Sequence, residues 1–170
     1  MKKFVRVMSA AVSAALVLTA MAGCGSKDAA AQTPAENTQQ TAPVQQEQSQ
    51  TEKALALINT FATGDTDTAR SLLADGYIQH NLAYGTGADA FIGSVEYLAS
   101  ADVKTTVNNI RAFEDGDKVF MQTIYNFAGA GEQVAFDIFR FDENGKIAEH
   151  WDVMETIADQ STWQNQNGKF

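Results

Sequence analysis

The sequence predicts an α+β domain, helices packed on one face of a curved antiparallel sheet, carried behind an export leader. Three observations predict it. Apolar residues recur at helical spacing in the first half of the domain, between residues 52 and 100. The second half turns to Val, Thr, Ile, Phe and Tyr, broken at intervals by Asp115-Gly116, Gly129, Gly131 and Asn144-Gly145. Both prolines, Pro34 and Pro43, precede the domain, so none interrupts a strand. Helices first and a meander second is the pattern of a two-layer α+β fold.

The leader comes first. Lys2 and Lys3 give a positive start, and residues 7–22 form an apolar run too short to span a bilayer comfortably but suited to a signal peptide. Met21-Ala22-Gly23-Cys24 resembles the lipobox of bacterial lipoproteins, with Met21 in place of the more usual Leu. Cleavage before Cys24 and acylation there would hold the chain at the outer face of the cell membrane by lipid alone, with more than the two acyl chains that stable anchoring needs. An uncleaved anchor with an incidental cysteine is the competing reading, and the flanks and length fit it poorly. Residues 24–51 are mostly Ala, Gln, Thr, Ser, Glu and Pro with Val44 the only large apolar side chain, a composition expected to stay disordered as a tether. Residues 52–170 then form one domain, large enough for a single core.

Within the domain, Ala54, Leu55, Leu57, Ile58 and Phe61 predict a helix over residues 52–63 with Gly64 as its stop. A short helix follows from Thr66 or Asp67 to Ala74, ended by Asp75-Gly76, and Phe91, Ile92, Val95 and Leu98 mark a third over residues 88–100. Four strands follow, at about residues 103–113, 118–127, 133–141 and 146–156. The net charge of -9 falls on an acidic chain whose leader holds three of its basic residues, which disfavours nucleic acid and any polybasic membrane contact. The lone cysteine excludes an internal disulfide.

The last hairpin carries the chemistry. Asn144-Gly145 as a two-residue turn pairs Asp137 with Asp152, Phe139 with His150, and, on the other face, Arg140 with Glu149 and Ile138 with Trp151. A four-residue loop would put Asp137 opposite His150 instead; a bulged three-residue turn would break the scheme. In either of the first two registers Asp137, His150 and Asp152 share a face with Phe139, Phe141 and Met154. Carboxylates beside an imidazole in a dry aromatic setting suit proton transfer, while a solvated rim or structural hydrogen bonds account equally well for Asp137 and Asp152. His80, in Tyr77-Ile78-Gln79-His80-Asn81, is a fourth candidate catalytic group, with a structural role as its competing reading. Tyr77, Asn81, Tyr84, Phe139 and Trp151 complete the candidate ligand contacts. His80, His150 and Asp152 would also make a two-histidine, one-carboxylate set of the non-haem iron type, whereas a zinc site lacks cysteine ligands in the domain.

Tyr77-Ile78-Gln79-His80-Asn81, Gly87, Ala90-Phe91, Asp137-Ile138-Phe139-Arg140 and Gly145-Lys146-Ile147-Ala148-Glu149-His150-Trp151-Asp152-Val153 together resemble the SnoaL-like proteins of the nuclear transport factor 2-like superfamily. The resemblance covers about residues 52–157. It implies a conical α+β barrel around a pocket, often in a homodimer, that takes a small molecule with a carbonyl or apolar part. It also implies cofactor-free aldol cyclisation in which Asp152 moves the proton while His150, His80 and Asp137 polarise or orient the ligand. Leu82 stands where close relatives carry Pro after His-Asn. Because the superfamily also holds binding and assembly domains, a non-catalytic module is the alternative function.

Overall fold

The computed structural model describes residues 47–170. The expected leader, the expected acylation site Cys24 and the expected tether up to residue 46 lie outside the described residues. Among those described, no helix is long and apolar enough to cross a membrane.

Helix α1 spans Gln50–Thr63 and begins two residues before the predicted start, because a capping box sets its end. The Ser49 side chain accepts from the Glu52 backbone amide, and the Glu52 carboxylate accepts from the Ser49 amide. Gly64 ends the helix in the left-handed region at φ 76, and a Cβ there would meet Ala99 Cβ at 2.8 Å. Helix α2, Thr66–Leu72, is capped by Asp65, whose carboxylate accepts from the Thr68 amide. Helix α3, Ala88–Ser100, lies where its apolar stripe predicted, with Phe91, Ile92 and Val95 buried.

The sheet has five strands rather than four. Strand β1, Leu73–Gln79, takes up the Asp75-Gly76 segment expected to end a helix and pairs parallel to the last strand. A bulge between Leu73 and Ile78 lets the pair absorb that turn-prone dipeptide. Strands β2 (Thr106–Asp115), β3 (Lys118–Asn126), β4 (Gln133–Phe141) and β5 (Ile147–Thr156) form the antiparallel meander, in the spatial order β1-β5-β4-β3-β2. The sheet is therefore mixed. The helices cover its inner face, where Leu57 and Ile58 of α1 and Val95 of α3 meet Val119, Met121, Phe139 and Ile147 in one core cluster.

The predicted register of the last hairpin holds along the strand bodies, with Asp137 opposite Asp152, Phe139 opposite His150 and Arg140 opposite Glu149. The turn that produces it differs. Asp142 and Lys146 close a three-residue loop: the Asp142 amide donates to the Lys146 carbonyl at 2.8 Å, and Gly145 takes φ 67. Phe141 accordingly pairs with Ile147, one residue out of phase with the strand bodies, and the register shifts between Arg140 and Phe141. The extra residue, Ala148, restores the phase. Without it His150 and Asp152 would fall on the opposite face of the sheet.

Candidate functional site

Alternate residues of β5, β4 and β1 aim their ionisable and polar groups into a cavity of about 710 Å³ between the sheet and α3. A space of this size suits a small organic ligand. His150, Asp152 and Met154 come from β5, Asp137 and Phe139 from β4, and Tyr77 and Gln79 from β1. Phe61 of α1, Phe91 of α3 and Phe127 after β3 build an aromatic wall, Phe61 lying 4.9 Å from Phe91 and 5.8 Å from Phe127 between ring centroids.

At the polar end Asp137 is buried and spoken for. Its Oδ2 accepts from the Tyr125 hydroxyl at 3.0 Å, and its Oδ1 lies 3.3 Å from His150 Nε2. His150 stacks on Phe139 with centroids 4.4 Å apart, which fixes the plane of its ring. Its Nδ1 faces both amide atoms of Gln79, Nε2 at 3.1 Å and Oε1 at 3.2 Å. Gln79 can thus donate to the neutral ring or accept from the charged one. The Asn81 amide, donating to Gln79 Oε1 at 2.9 Å, ties that side chain to the following loop.

Asp152 is less enclosed. Asn81 Nδ2 donates to both its oxygens, at 2.7 and 3.0 Å, and the Asn81 carbonyl oxygen accepts from the Ala83 amide, so the loop after β1 braces the carboxylate from outside the cavity. Burial, and then the charges of Asp152 and Asp137, push the Tyr77 phenol well above its ordinary range. Burial and the neighbouring Asp137 do the same to Tyr125. Both phenols keep their protons; Tyr125 donates to Asp137, while the Tyr77 hydroxyl accepts from Gln79 Nε2 at 3.4 Å.

Of the residues singled out from sequence, the cavity brings together Asp137, His150, Asp152, Phe139, Tyr77 and, at 50% exposure near the mouth, Tyr84. Asn81 does not line the cavity and reaches it through Asp152 and Gln79. His80 and Trp151 are corrections: both stand on the outer face, ring against ring at 4.4 Å and 6°, with His80 Nε2 2.9 Å from Glu149 Oε2. The pleat is the reason, since His80 and Trp151 each follow an inward-facing residue by one position. The set of His80, His150 and Asp152 therefore does not assemble. A different trio, Asp137, His150 and Asp152, places ligand-type atoms within 4.8 Å of one another. In this structure the three form one hydrogen-bonded network with Tyr125, Gln79 and Asn81. Gln79 and Tyr125 escaped the sequence reading. Reading residues 73–79 as a strand would have put Gln79 on the face of Tyr77, whereas nothing in the loose turn around Gly129 and Gly131 set the β3–β4 register that brings Tyr125 to Asp137.

Fold and site together define an α+β cone domain with a cavity of small-molecule size. Residues 54–150 match the SnoaL-like domain, and the chain belongs to that family. No curated protein matches it by sequence. Among solved structures it is similar to an NTF2-like protein from Cytophaga hutchinsonii, with TM-score 0.56 and 15% identity over 65% of this chain and 94% of that one. It is also similar to TsrD from Streptomyces laurentii, with TM-score 0.53 and 19% identity over 62% and 87% of the two chains. A third is IdmH from Streptomyces antibioticus, a candidate polyketide cyclase, with TM-score 0.51 and 18% identity over 64% and 93%. At these identities the likeness speaks for the fold.

Proposed function

We propose that the cavity binds a small carbonyl compound with an apolar body and that Asp152 moves a proton on it, in cofactor-free aldol cyclisation or simple proton transfer. The observation that carries this reading is the contrast between the two carboxylates. Asp137 spends its oxygens on Tyr125 and His150, while Asp152 is held only by the Asn81 amide and keeps lone pairs for the cavity. Asp152 takes the proton from the carbon beside a carbonyl, and the Tyr77 hydroxyl donates to the developing enolate oxygen. For cyclisation the enolate carbon bonds to a second carbonyl carbon of the same molecule, and the new alkoxide takes the proton back. No electrons leave or enter. His150, fixed by Gln79 and Asp137, orients the ligand as part of the cavity wall. Incubation of the protein with a panel of cyclic and β-dicarbonyl ketones in deuterated water, followed by proton NMR, tests this. Solvent deuterium should enter the α position, and Asp152→Asn should slow it by roughly 10²–10⁴-fold. Full exchange in Asp152→Asn removes the assignment of the base.

Both ring nitrogens of His150 already have protein partners, which favours as second reading a module that binds without turnover. Saturable binding with no exchange would select it. The leader and Cys24 support a chain tethered by lipid to the outer face of the cell membrane; Cys24→Ser should release the protein from the membrane fraction, and its retention there would overturn the reading. The family resemblance supports a homodimer, and Phe136 and Val153, exposed on the outer face of the sheet, give a second copy an apolar surface to cover. Sedimentation of the purified protein decides it.

A further inference from the structure

The charge balance of the cavity restricts what can enter it. Among the described residues, no lysine or arginine lines it. Arg140, the arginine of β4, points to the outer face and donates through Nε to Glu149 at 2.7 Å. His150 lies against Asp137, so even a charged ring does no more than balance that carboxylate. Asp152 is left facing the cavity with one neutral amide as its hydrogen-bond partner among the described residues, and no salt bridge reaches it there. The aromatic residues Tyr77, Phe91 and Tyr84 line the same cavity. An uncompensated carboxylate in an aromatic-lined cavity attracts cations through its charge, with the ring quadrupoles adding where a cation meets a ring face, and repels anions.

We propose that this pocket selects its ligand by charge: it takes an apolar ring compound bearing a protonated amine or, more weakly, a hydroxyl, and turns away carboxylates and phosphate esters. The inference rests on the reading of the cavity as a ligand site and narrows its substrates to amino or hydroxy carbonyl compounds, excluding keto acids and acyl phosphates.

Calorimetric titration of the whole chain with naphthylmethylamine, naphthalenemethanol and naphthoate, three probes of one ring body and different charge, tests it at neutral pH. The amine should bind about tenfold tighter than the alcohol, and naphthoate should give no heat of binding. In Asp152→Asn the amine and the alcohol should come within about twofold of each other, the cationic preference having lost its source. Naphthoate or the alcohol binding as tightly as the amine overturns the charge selection while leaving the pocket reading intact. A preference for the amine that survives in Asp152→Asn overturns it too, since the acidic surface would then be its origin. If none of the three binds, the pocket reading falls and this inference with it. If Asp152→Asn folds poorly, the native chain is titrated again at about 1 M salt, which screens the exposed acidic surface far more than a carboxylate inside the cavity; an amine preference that persists supports the selection, and one that vanishes overturns it.

Discussion

The two faces of the sheet each carry a histidine against a carboxylate, and they do different work. On the inner face His150 and Asp137, 7% and 3% exposed, sit under aromatic side chains at the wall of a cavity. On the outer face His80 and Glu149 meet at a shorter distance, 2.9 Å against 3.3 Å, and have Trp151 stacked on the imidazole. Distance alone would rank the outer pair higher. It faces water, where solvation and salt reduce an ion pair to a small contribution. The inner pair is kept from water, so each polar atom there must find a partner, and the partners it finds align the ring for a ligand. Residue types are shared by the two faces; surroundings separate them.

The largest effect that should separate the faces is on stability. Phe139→Ala, removing a ring 1% exposed that packs in the core and stacks on His150, should cost about 3–5 kcal/mol in urea unfolding. Val153→Ala, on the outer face at 73% exposure, should stay within about 0.5 kcal/mol. Equal costs would break the distinction. Next, Tyr125→Phe leaves Asp137 Oδ2 without its hydroxyl donor and should cost about 1–3 kcal/mol by the same measurement.

His80→Ala removes the outer stack and ion pair and should cost no more than about 1 kcal/mol. Its affinity for the naphthalene probes should be unchanged, and a loss of binding would show that the faces communicate. The smallest effect is in pH. Hydrogen bonds from His80 and then Arg140 hold the Glu149 carboxyl below the usual glutamate range. A carboxyl whose folded value is depressed stabilises the protein above its unfolded value and loses that contribution as pH falls through the folded one. The stability difference between the native chain and Glu149→Gln should therefore be flat near neutrality and shrink below about pH 4.3. A difference that grows on acidification would contradict the pairing.

Much of this was legible in the residues. The helix α3 and strand β4 lie where they were predicted, because periodicity is set by which side chains are apolar and needs no partner to be read. The shared face of Asp137, His150 and Asp152 was legible for the same reason, although the turn behind it was read wrongly. A three-residue loop and an extra Ala148 offset one another, and two local errors in phase cancelled. Strand β1 was not legible. Asp75-Gly76 signals a turn, and only the edge of β5, offering unpaired amides and carbonyls, draws that segment into a parallel pair. Gln79 was lost with it.

By itself the sequence determined the α+β class, with its three helices and antiparallel meander, and the alternation that sorts β4 and β5 into two faces, since each rests on the local chemistry of consecutive residues. Tertiary structure alone decided that Tyr125 donates to Asp137, that Asn81 braces Asp152 and that His80 turns away from the cavity. Those contacts join residues up to 71 positions apart, and their geometry depends on how strands pair and bulge, which no stretch of neighbouring residues encodes.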